Sequence, residues 1–298
     1  MARFRKLKNI CLGVGAIGGT AAVFAVVVEN YLGGSWFKLR TQLIAEADEN
    51  KKNAFKKWDN NWDFRDVKDN NNNNNKIPTA SRNIILVRHG HYNLDGKDDK
   101  ERYLTALGLE QAKITGARLA ELNLPYTYIA RSRMTRAIET ANLIKEALPT
   151  VPLLPEDGLL NEGNPIVPEP RGTWRPDFYY ETDGGRIEAA FRKYFHRADV
   201  EQTEDSYELI VCHANVIRYF LCRALQLPPE AWLRISLKHA SYTWLVVRPD
   251  GEVHTRGIGE SGHFPKDKLS TTYSPEEEEK RKQEKLRKQQ EKNQEQKL

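Results

Sequence analysis

Apolar and polar residues alternate in a regular order along the middle of the chain. The apolar run at residues 83–87 predicts a buried strand, and the stretch after Thr105, a suitable N-cap, has apolar residues at helical spacing. The further predicted elements are strands at 126–130 and 207–212, helices at 134–148 and 215–225, and a hairpin of residues 241–249 and 251–258. This succession predicts an α/β fold with a mostly parallel central sheet flanked by helices.

Two of the predicted strands run directly into a histidine. The segment "IILVRHG" reaches His89, and "ELIVCHAN" reaches His213. A third strand precedes a segment that supplies Arg131, Ser132, Arg133 and Arg136. Because ligands of such sheets gather outside the carboxyl ends of the strands, we expect these side chains to converge at one sheet edge. A single histidine there would more often be structural, and two at equivalent positions leave both roles open.

These residue types suit the chemistry of a phosphoryl group. Arginine forks bind its charged oxygens, and a neutral imidazole can attack phosphorus to form a phosphohistidine. A second imidazole, protonated beside the anion, can stabilise the group during transfer. A carboxylic acid is then needed to protonate the leaving alkoxide. No cluster of aspartate and glutamate indicates a metal site, and this chemistry requires neither a metal nor another cofactor.

The N-terminal region has a different pattern. Residues 10–28 carry no charge and follow four basic side chains. At ~1.5 Å per residue a helix of this length spans roughly 28 Å, close to the thickness of a bilayer core. We therefore predict a basic N-terminus at residues 1–9 and a transmembrane anchor at residues 10–29. A cleaved signal peptide and a buried soluble helix are the alternatives.

Composition sets the remaining boundaries. Residues 30–77 are predicted to be a linker that contains a charged amphipathic helix at 38–57, "WDNNWD" at 58–63 and six asparagines at 70–75, a composition typical of disorder. Residues 78–268 are the predicted folded domain. Residues 269–298 form a charged tail with few apolar side chains, which we predict to be disordered.

Charge and cysteine usage exclude several classes of function. The chain has 46 basic and 41 acidic side chains, a formal net charge of +5, and no basic stripe of the kind that binds nucleic acid. Its three cysteines, Cys11, Cys212 and Cys222, show no CxxC spacing. A structural zinc site or a disulfide framework is therefore not expected, and a reducing compartment is the default.

Five segments, in order, resemble the successive motifs of the histidine phosphatase superfamily, which has the phosphoglycerate-mutase-like fold. They are "LVRHG" at 86–90, "LTALGLEQA" at 104–112, "SRMTRAIETA" at 132–141, "LLNEG" at 159–163 and "VCHANVIR" at 211–218. The resemblance covers about residues 80–260 and implies that His89 is the phosphorylated nucleophile. It further implies that Arg88 and Arg136 bind phosphate, that His213 completes the pocket, and that Glu162 donates the proton. Each residue has a structural alternative, such as an ion pair for Arg88 or an ordinary loop acid for Glu162.

Phosphoglycerate mutases of this superfamily usually read Arg-His-Gly-Glu-Ser-x-Trp-Asn, whereas this chain reads "RHGHYN". That difference disfavours a mutase and leaves His91, Tyr92 and Asn93 without an assigned role. Outside the motifs, the chain resembles the mitochondrial serine/threonine protein phosphatases of the phosphoglycerate mutase family. This implies a protein phosphatase anchored in a mitochondrial membrane, the outer one favoured and the inner one possible.

The same resemblance implies phosphoprotein substrates, a stress-activated kinase among them, and roles in kinase signalling and mitochondrial dynamics. A small-molecule phosphatase or mutase of the same fold, or a non-catalytic scaffold, are the alternatives.

The "WDNNWD" segment places Trp58 and Trp62 on a linker, where exposed indole rings are costly to leave in water. The resemblance implies that Trp58, Asp59, Trp62 and Asp63 join subunits into a homo-oligomer of higher activity. The alternative is that the tryptophans fold back onto their own domain.

Overall fold

The structure, a computed structural model, describes residues 57–65, 77–171 and 176–271, together with Gln283 and Arg287. The predicted anchor, most of the amphipathic helix, the asparagine tract and most of the charged tail lie outside the described residues. Within the described ranges, no helix is both long and apolar enough to cross a bilayer. All elements below belong to the unit that begins at Asp59.

Six strands form one sheet in the order β3-β2-β4-β1-β5-β6. They are β1 (Arg82–Arg88), β2 (Tyr128–Ser132), β3 (Leu153–Asp157), β4 (Ser206–Cys212), β5 (Tyr242–Val247) and β6 (Val253–Glu260). Strands β1 to β4 pair in parallel, whereas β5 runs antiparallel to both β1 and β6. The sheet is therefore mixed, with the predicted parallel part extended by the predicted hairpin.

Among the described residues, four α-helices accompany the sheet, namely α1 (Ala106–Glu121), α2 (Thr135–Ala147), α3 (Phe178–Tyr194) and α4 (Ala214–Ala224). Thr105 caps α1, since its hydroxyl accepts a hydrogen bond from the Gly108 amide at 3.2 Å. This confirms the predicted N-cap. Gly108 also allows a close approach, because a Cβ atom at this position would lie 1.9 Å from the His91 carbonyl oxygen. Helix α1 therefore packs directly against the segment that follows His89.

The central strand β1 is buried along its whole length. It lies between β4 and β5, and Arg88 is in register with Cys212 of β4. The two residues that follow these strands, His89 and His213, consequently emerge side by side. The His89 amide donates to the Cys212 carbonyl at 3.0 Å. The predicted convergence of the two histidines at one sheet edge is confirmed.

Apolar side chains hold α1 and α2 against the sheet. The core cluster includes Ile85 and Val87 of β1, Leu119 of α1 and Ile144 of α2, all fully buried. A second group of aromatic rings, Phe191, Phe195 and Phe220, joins α3 to α4, with the Phe191 and Phe195 centroids 5.1 Å apart. Burial of these apolar side chains fixes the helices against the sheet and against one another, and with them the site residues that they carry.

Two elements were not predicted from the sequence. Residues 163–186 read as a loop rich in proline and aromatic residues, whereas α3 begins at Phe178. The adjacent glycines at 184 and 185 interrupt the helical period there, which hides the element. Strand β3 has mostly exposed or half-exposed side chains, as an edge strand does, so it lacks an apolar pattern. Strand β2 begins and ends two residues later than predicted.

Candidate active site

His89 lies at the carboxyl end of β1, and its ring is oriented by the adjacent backbone. Its Nδ1 is 2.8 Å from the Gly90 carbonyl oxygen, which can only accept a hydrogen bond. The proton of the neutral ring is therefore on Nδ1, and Nε2 carries the lone pair. Arg136 donates to that nitrogen from Nε at 3.3 Å, which agrees with this tautomer. His89 thus presents a nucleophilic Nε2.

Helix α2 fixes the segment after His89. The Gly90 amide donates to the Thr140 hydroxyl at 3.0 Å, and that hydroxyl donates to the Arg136 carbonyl at 2.7 Å. The backbone after His89 and the backbone of Arg136 are therefore held by the same turn of α2.

Arg88 is buried against the segment that precedes β5. Its Nη1 donates to the Leu237 carbonyl at 2.7 Å, and its Nη2 lies 3.0 Å from His239 Nε2. Since a guanidinium can only donate, His239 accepts at Nε2 and its own proton is on Nδ1. Burial lowers the pKa of Arg88 to about 10, so it stays charged at neutral pH.

Arg136 is the second cation beside His89. It is 3% exposed, and its Nη1 lies 3.5 Å from Asp99 Oδ1. Asp99 also accepts from the amide and the hydroxyl of Thr135, so one carboxylate fixes both the start of α2 and the guanidinium. Tyr92 lies under the guanidinium at 4.7 Å and contacts His89 edge-on. Tyr92, which sequence reasoning left without a role, lines the pocket.

A relay of side chains determines the tautomer of His213. The Asn161 Oδ1 atom accepts the Arg133 amide at 3.2 Å and the Ser132 hydroxyl at 3.0 Å. The Ser132 hydroxyl uses its proton in the bond to Asn161. Its oxygen therefore accepts a hydrogen bond from His213 Nε2 at 2.8 Å. The neutral ring therefore carries its lone pair on Nδ1. That buried atom has no hydrogen-bond partner among the described residues. A proton taken up at Nδ1 would let His213 donate to an anion.

The two rings, His89 and His213, have centroids 5.1 Å apart. Burial lowers the pKa of each well below its ordinary value of 6.5, and the nearby charge of Arg136 lowers it further. Both imidazoles are consequently neutral at neutral pH. A phosphoryl group would offset the positive charge of the arginines and allow His213 to protonate.

Glu162 lies in the loop between β3 and α3. Burial raises the pKa of its carboxyl above the ordinary 4.5, although Arg136 and Arg88 act in the opposite direction. A carboxyl with a raised pKa retains its proton more readily, as a general acid must. The structure thus brings together all five residues assigned to the pocket by resemblance: Arg88, His89, Arg136, Glu162 and His213.

Not every arginine expected at this edge reaches the pocket. Arg131 pairs with Glu156 of β3 at 2.6 Å and also donates to Asn142 at 2.6 Å. It precedes Ser132 on β2, and alternate side chains of a strand point to opposite faces. Arg133 is exposed. Of the four residues expected from this segment, Ser132 and Arg136 are part of the site.

The "WDNNWD" segment from Asp59 onward contacts its own chain. The Trp62 ring packs against Phe191 of α3 with centroids 5.9 Å apart, and its Nε1 donates to the Gly251 carbonyl at 2.7 Å. Asp63 forms a buried ion pair with Arg197 at 2.6 Å. Trp58 belongs to the preceding unit. This is the fold-back contact weighed as an alternative, and the role of the segment in oligomerisation stays a prediction.

The chain is similar in sequence to proteins of a known family. The family model described as histidine phosphatase superfamily (branch 1) matches residues 84–164 and 169–257, more than half of the chain. The serine/threonine-protein phosphatase PGAM5, mitochondrial, of Xenopus laevis is 57% identical over 200 residues, which are 67% of this chain and 72% of that protein.

The protein of the same name from Homo sapiens is 50% identical over 232 residues, covering 72% of this chain and 80% of that protein. Among solved structures, the phosphoglycerate mutase of Plasmodium falciparum is 37% identical, covers 66% of this chain and 100% of its own, and has a TM-score of 0.45. The chain belongs to the histidine phosphatase superfamily.

Proposed function

We propose that this protein is a metal-independent protein serine/threonine phosphatase that works through a phosphohistidine on His89. The observation that carries the proposal is the His89 Nε2 lone pair, oriented by Gly90 and contacted by the buried guanidinium of Arg136. The charge of the buried Arg88 also acts on this ring. The similarity to mitochondrial serine/threonine phosphatases supports phosphoproteins as the substrate class.

In the first step, His89 Nε2 attacks phosphorus, and the bond from phosphorus to the substrate oxygen breaks. That oxygen takes the proton of the Glu162 carboxyl, so the product leaves as a neutral alcohol. Arg88 and Arg136 donate to the phosphoryl oxygens while His213, protonated at Nδ1, stabilises the charge that they share.

In the second step, a water molecule attacks phosphorus and gives a proton to the Glu162 carboxylate. The bond from phosphorus to Nε2 breaks, and inorganic phosphate leaves. His89 is then neutral with its proton on Nδ1, and Glu162 is protonated again. Both residues have returned to their starting states.

The proposal extends to location and assembly. We propose that the protein lies in a mitochondrial membrane, anchored by residues 10–29, with the outer membrane favoured. The mitochondrial names of its relatives support the mitochondrial part of this proposal. We further propose a homo-oligomer formed through Trp58, Asp59, Trp62 and Asp63, with phosphoproteins, including a stress-activated kinase, as substrates that connect it to mitochondrial dynamics.

The test uses the full-length protein in detergent, a radiolabelled phosphothreonine peptide and a chelator, with His89→Ala as the comparison. We expect phosphate release and a transient acid-labile label on the parent protein, both lost in His89→Ala. No turnover by a folded, assembled parent would contradict the proposal. Faster turnover of phosphoglycerate than of the peptide would instead favour a small-molecule enzyme.

A further inference from the structure

Arg186 of α3 contacts the loop that carries Glu162. Its Nη1 donates to the Leu159 carbonyl at 3.0 Å and to the Asn161 carbonyl at 2.6 Å. Its Nη2 donates to the carbonyl of Glu162 itself at 3.2 Å. One guanidinium therefore holds three peptide groups of a single turn.

The guanidinium is itself fixed. Asp183, one turn earlier on α3, accepts from Nη2 at 2.9 Å through Oδ1. Its other oxygen accepts the Asn164 amide at 3.0 Å, so the same carboxylate also contacts the loop beyond Glu162. Because a planar guanidinium is preorganised, little side-chain freedom remains to be lost when it binds these carbonyls.

The loop packs directly on this arginine. A Cβ atom added to Gly163 would lie 2.5 Å from Arg186 Nη2. From another direction, Asn215 of α4 donates to the Gly163 carbonyl at 3.0 Å. The peptide that bears the Glu162 side chain is thus held between α3 and α4.

We propose that Arg186 is a positioning residue for Glu162, which holds the proton donor where it can reach the leaving oxygen. The inference rests on the proposed function in taking Glu162 as that donor. No hydrogen bond described for Arg186 involves His89, Arg88 or Arg136, and its hydrogen bonds reach the site through the loop. Its charge also lowers the pKa of His213, an effect that a lysine at this position would retain.

Leaving groups of different basicity separate this role from a purely structural one. A threonine alkoxide needs a proton in order to leave, whereas p-nitrophenolate is a stable anion that leaves without one. The ratio kcat/KM reports only steps up to departure of the leaving group. A misplaced proton donor should therefore lower kcat/KM for a phosphothreonine peptide far more than for p-nitrophenyl phosphate.

The experiment compares full-length Arg186→Met, Arg186→Lys and Glu162→Gln with both substrates. We expect Arg186→Met to lose about 100-fold in kcat/KM on the peptide and less than about threefold on p-nitrophenyl phosphate, in line with the usual contribution of a general acid. Glu162→Gln should show the same split. Arg192→Met removes an exposed guanidinium from the same helix and should leave both values unchanged.

Arg186→Lys keeps the charge but loses the planar fork whose two Nη atoms span the three carbonyls, so it should show a smaller loss with the same split. It also decides the matter if Arg186→Met does not fold. Suppose that Glu162→Gln loses activity on the peptide far more than on p-nitrophenyl phosphate. If the Arg186 variants then lose equally on both substrates, or on neither, the positioning role of Arg186 is overturned and the donor role of Glu162 is not. A Glu162→Gln protein without the split would overturn the donor assignment and, with it, this inference.

Discussion

Arg136 Nε lies 3.3 Å from His89 Nε2, so a phosphate-binding cation contacts the nitrogen that must attack. This contact orients the lone pair of His89 toward a guanidinium that can itself bind phosphoryl oxygens. The arriving phosphoryl oxygens can replace His89 as the acceptor for the guanidinium, and this exchange frees Nε2 for the reaction.

Arg136→Lys should therefore lower kcat/KM on a phosphothreonine peptide by about 100- to 1000-fold, the usual cost of removing one preorganised donor from a charged transition state. The ammonium keeps the charge and loses the planar fork. Arg131→Lys is the matched control, because Arg131 binds Glu156 and not the pocket. Steady-state kinetics on both variants checks this, and equal effects would contradict the assignment of Arg136.

The Asn161-Ser132-His213 relay leads to a second prediction. Asn161→Ala removes the acceptor that orients the Ser132 hydroxyl, which then no longer selects the His213 tautomer. We expect kcat/KM to fall by about 10- to 100-fold, less than for loss of a general acid. Asn161→Asp retains an acceptor oxygen and should lose less. If alanine and aspartate variants behaved alike, the relay would have no catalytic role.

The buried histidines predict acid sensitivity. His89, His213 and His239 have pKa values well below 6.5, mainly because of burial. The unfolded chain therefore binds protons first as the pH falls below about 6.5, and the native state loses stability in that range. Each histidine contributes up to about 1.4 kcal/mol per pH unit.

Thermal unfolding between pH 7.5 and 5 measures this sensitivity. We expect the midpoint to fall steadily below pH 6.5, with a shallower fall for His239→Asn. Added phosphate should reduce the fall, because the anion stabilises protonated His213. A midpoint that is flat over this range would contradict neutral buried histidines.

The buried pair of Asp63 and Arg197 gives a prediction for stability. The Asp63 side chain is 1% exposed, and Arg197 would remain buried without its carboxylate. Asp63→Asn should cost about 3–5 kcal/mol in free energy of unfolding. Asp199→Asn breaks the ion pair with Arg65, in which the Asp199 side chain is 71% exposed. We expect little change in the free energy of unfolding from this variant. Urea unfolding of both variants provides the comparison, and similar costs would show that burial of the pair does not matter.

Trp58 and Trp62 provide the test of assembly. If the proposed oligomer forms through them, Trp58→Ala/Trp62→Ala should sediment as a smaller species than the parent protein. Phe64→Ala is the control, since Phe64 is 74% exposed. An unchanged sedimentation coefficient in the double variant would rule out this segment as the joint between subunits. The contact of Trp62 with Phe191 would then serve the single chain alone.

The sequence predicted the positions of site residues that directly follow strands. It did not predict the residues that hold those site residues in place. His89 and His213 follow apolar runs, and Arg136 lies in a helix with a clear period, so their convergence could be predicted. Arg186 lies in α3, whose paired glycines and aromatic start conceal its period. His239 precedes β5 in a segment without regular pattern, and no local signal connects it to Arg88.

The position of β1 has a consequence for when the protein becomes active during synthesis. Arg82–Arg88 needs β4 on one side and β5 on the other, and β5 ends at Val247. These pairings join residues more than 100 positions apart, so the domain has a high contact order and is expected to fold slowly. A nascent chain that carries the His89 motif cannot hydrolyse a phosphoester until the ribosome has released most of the domain.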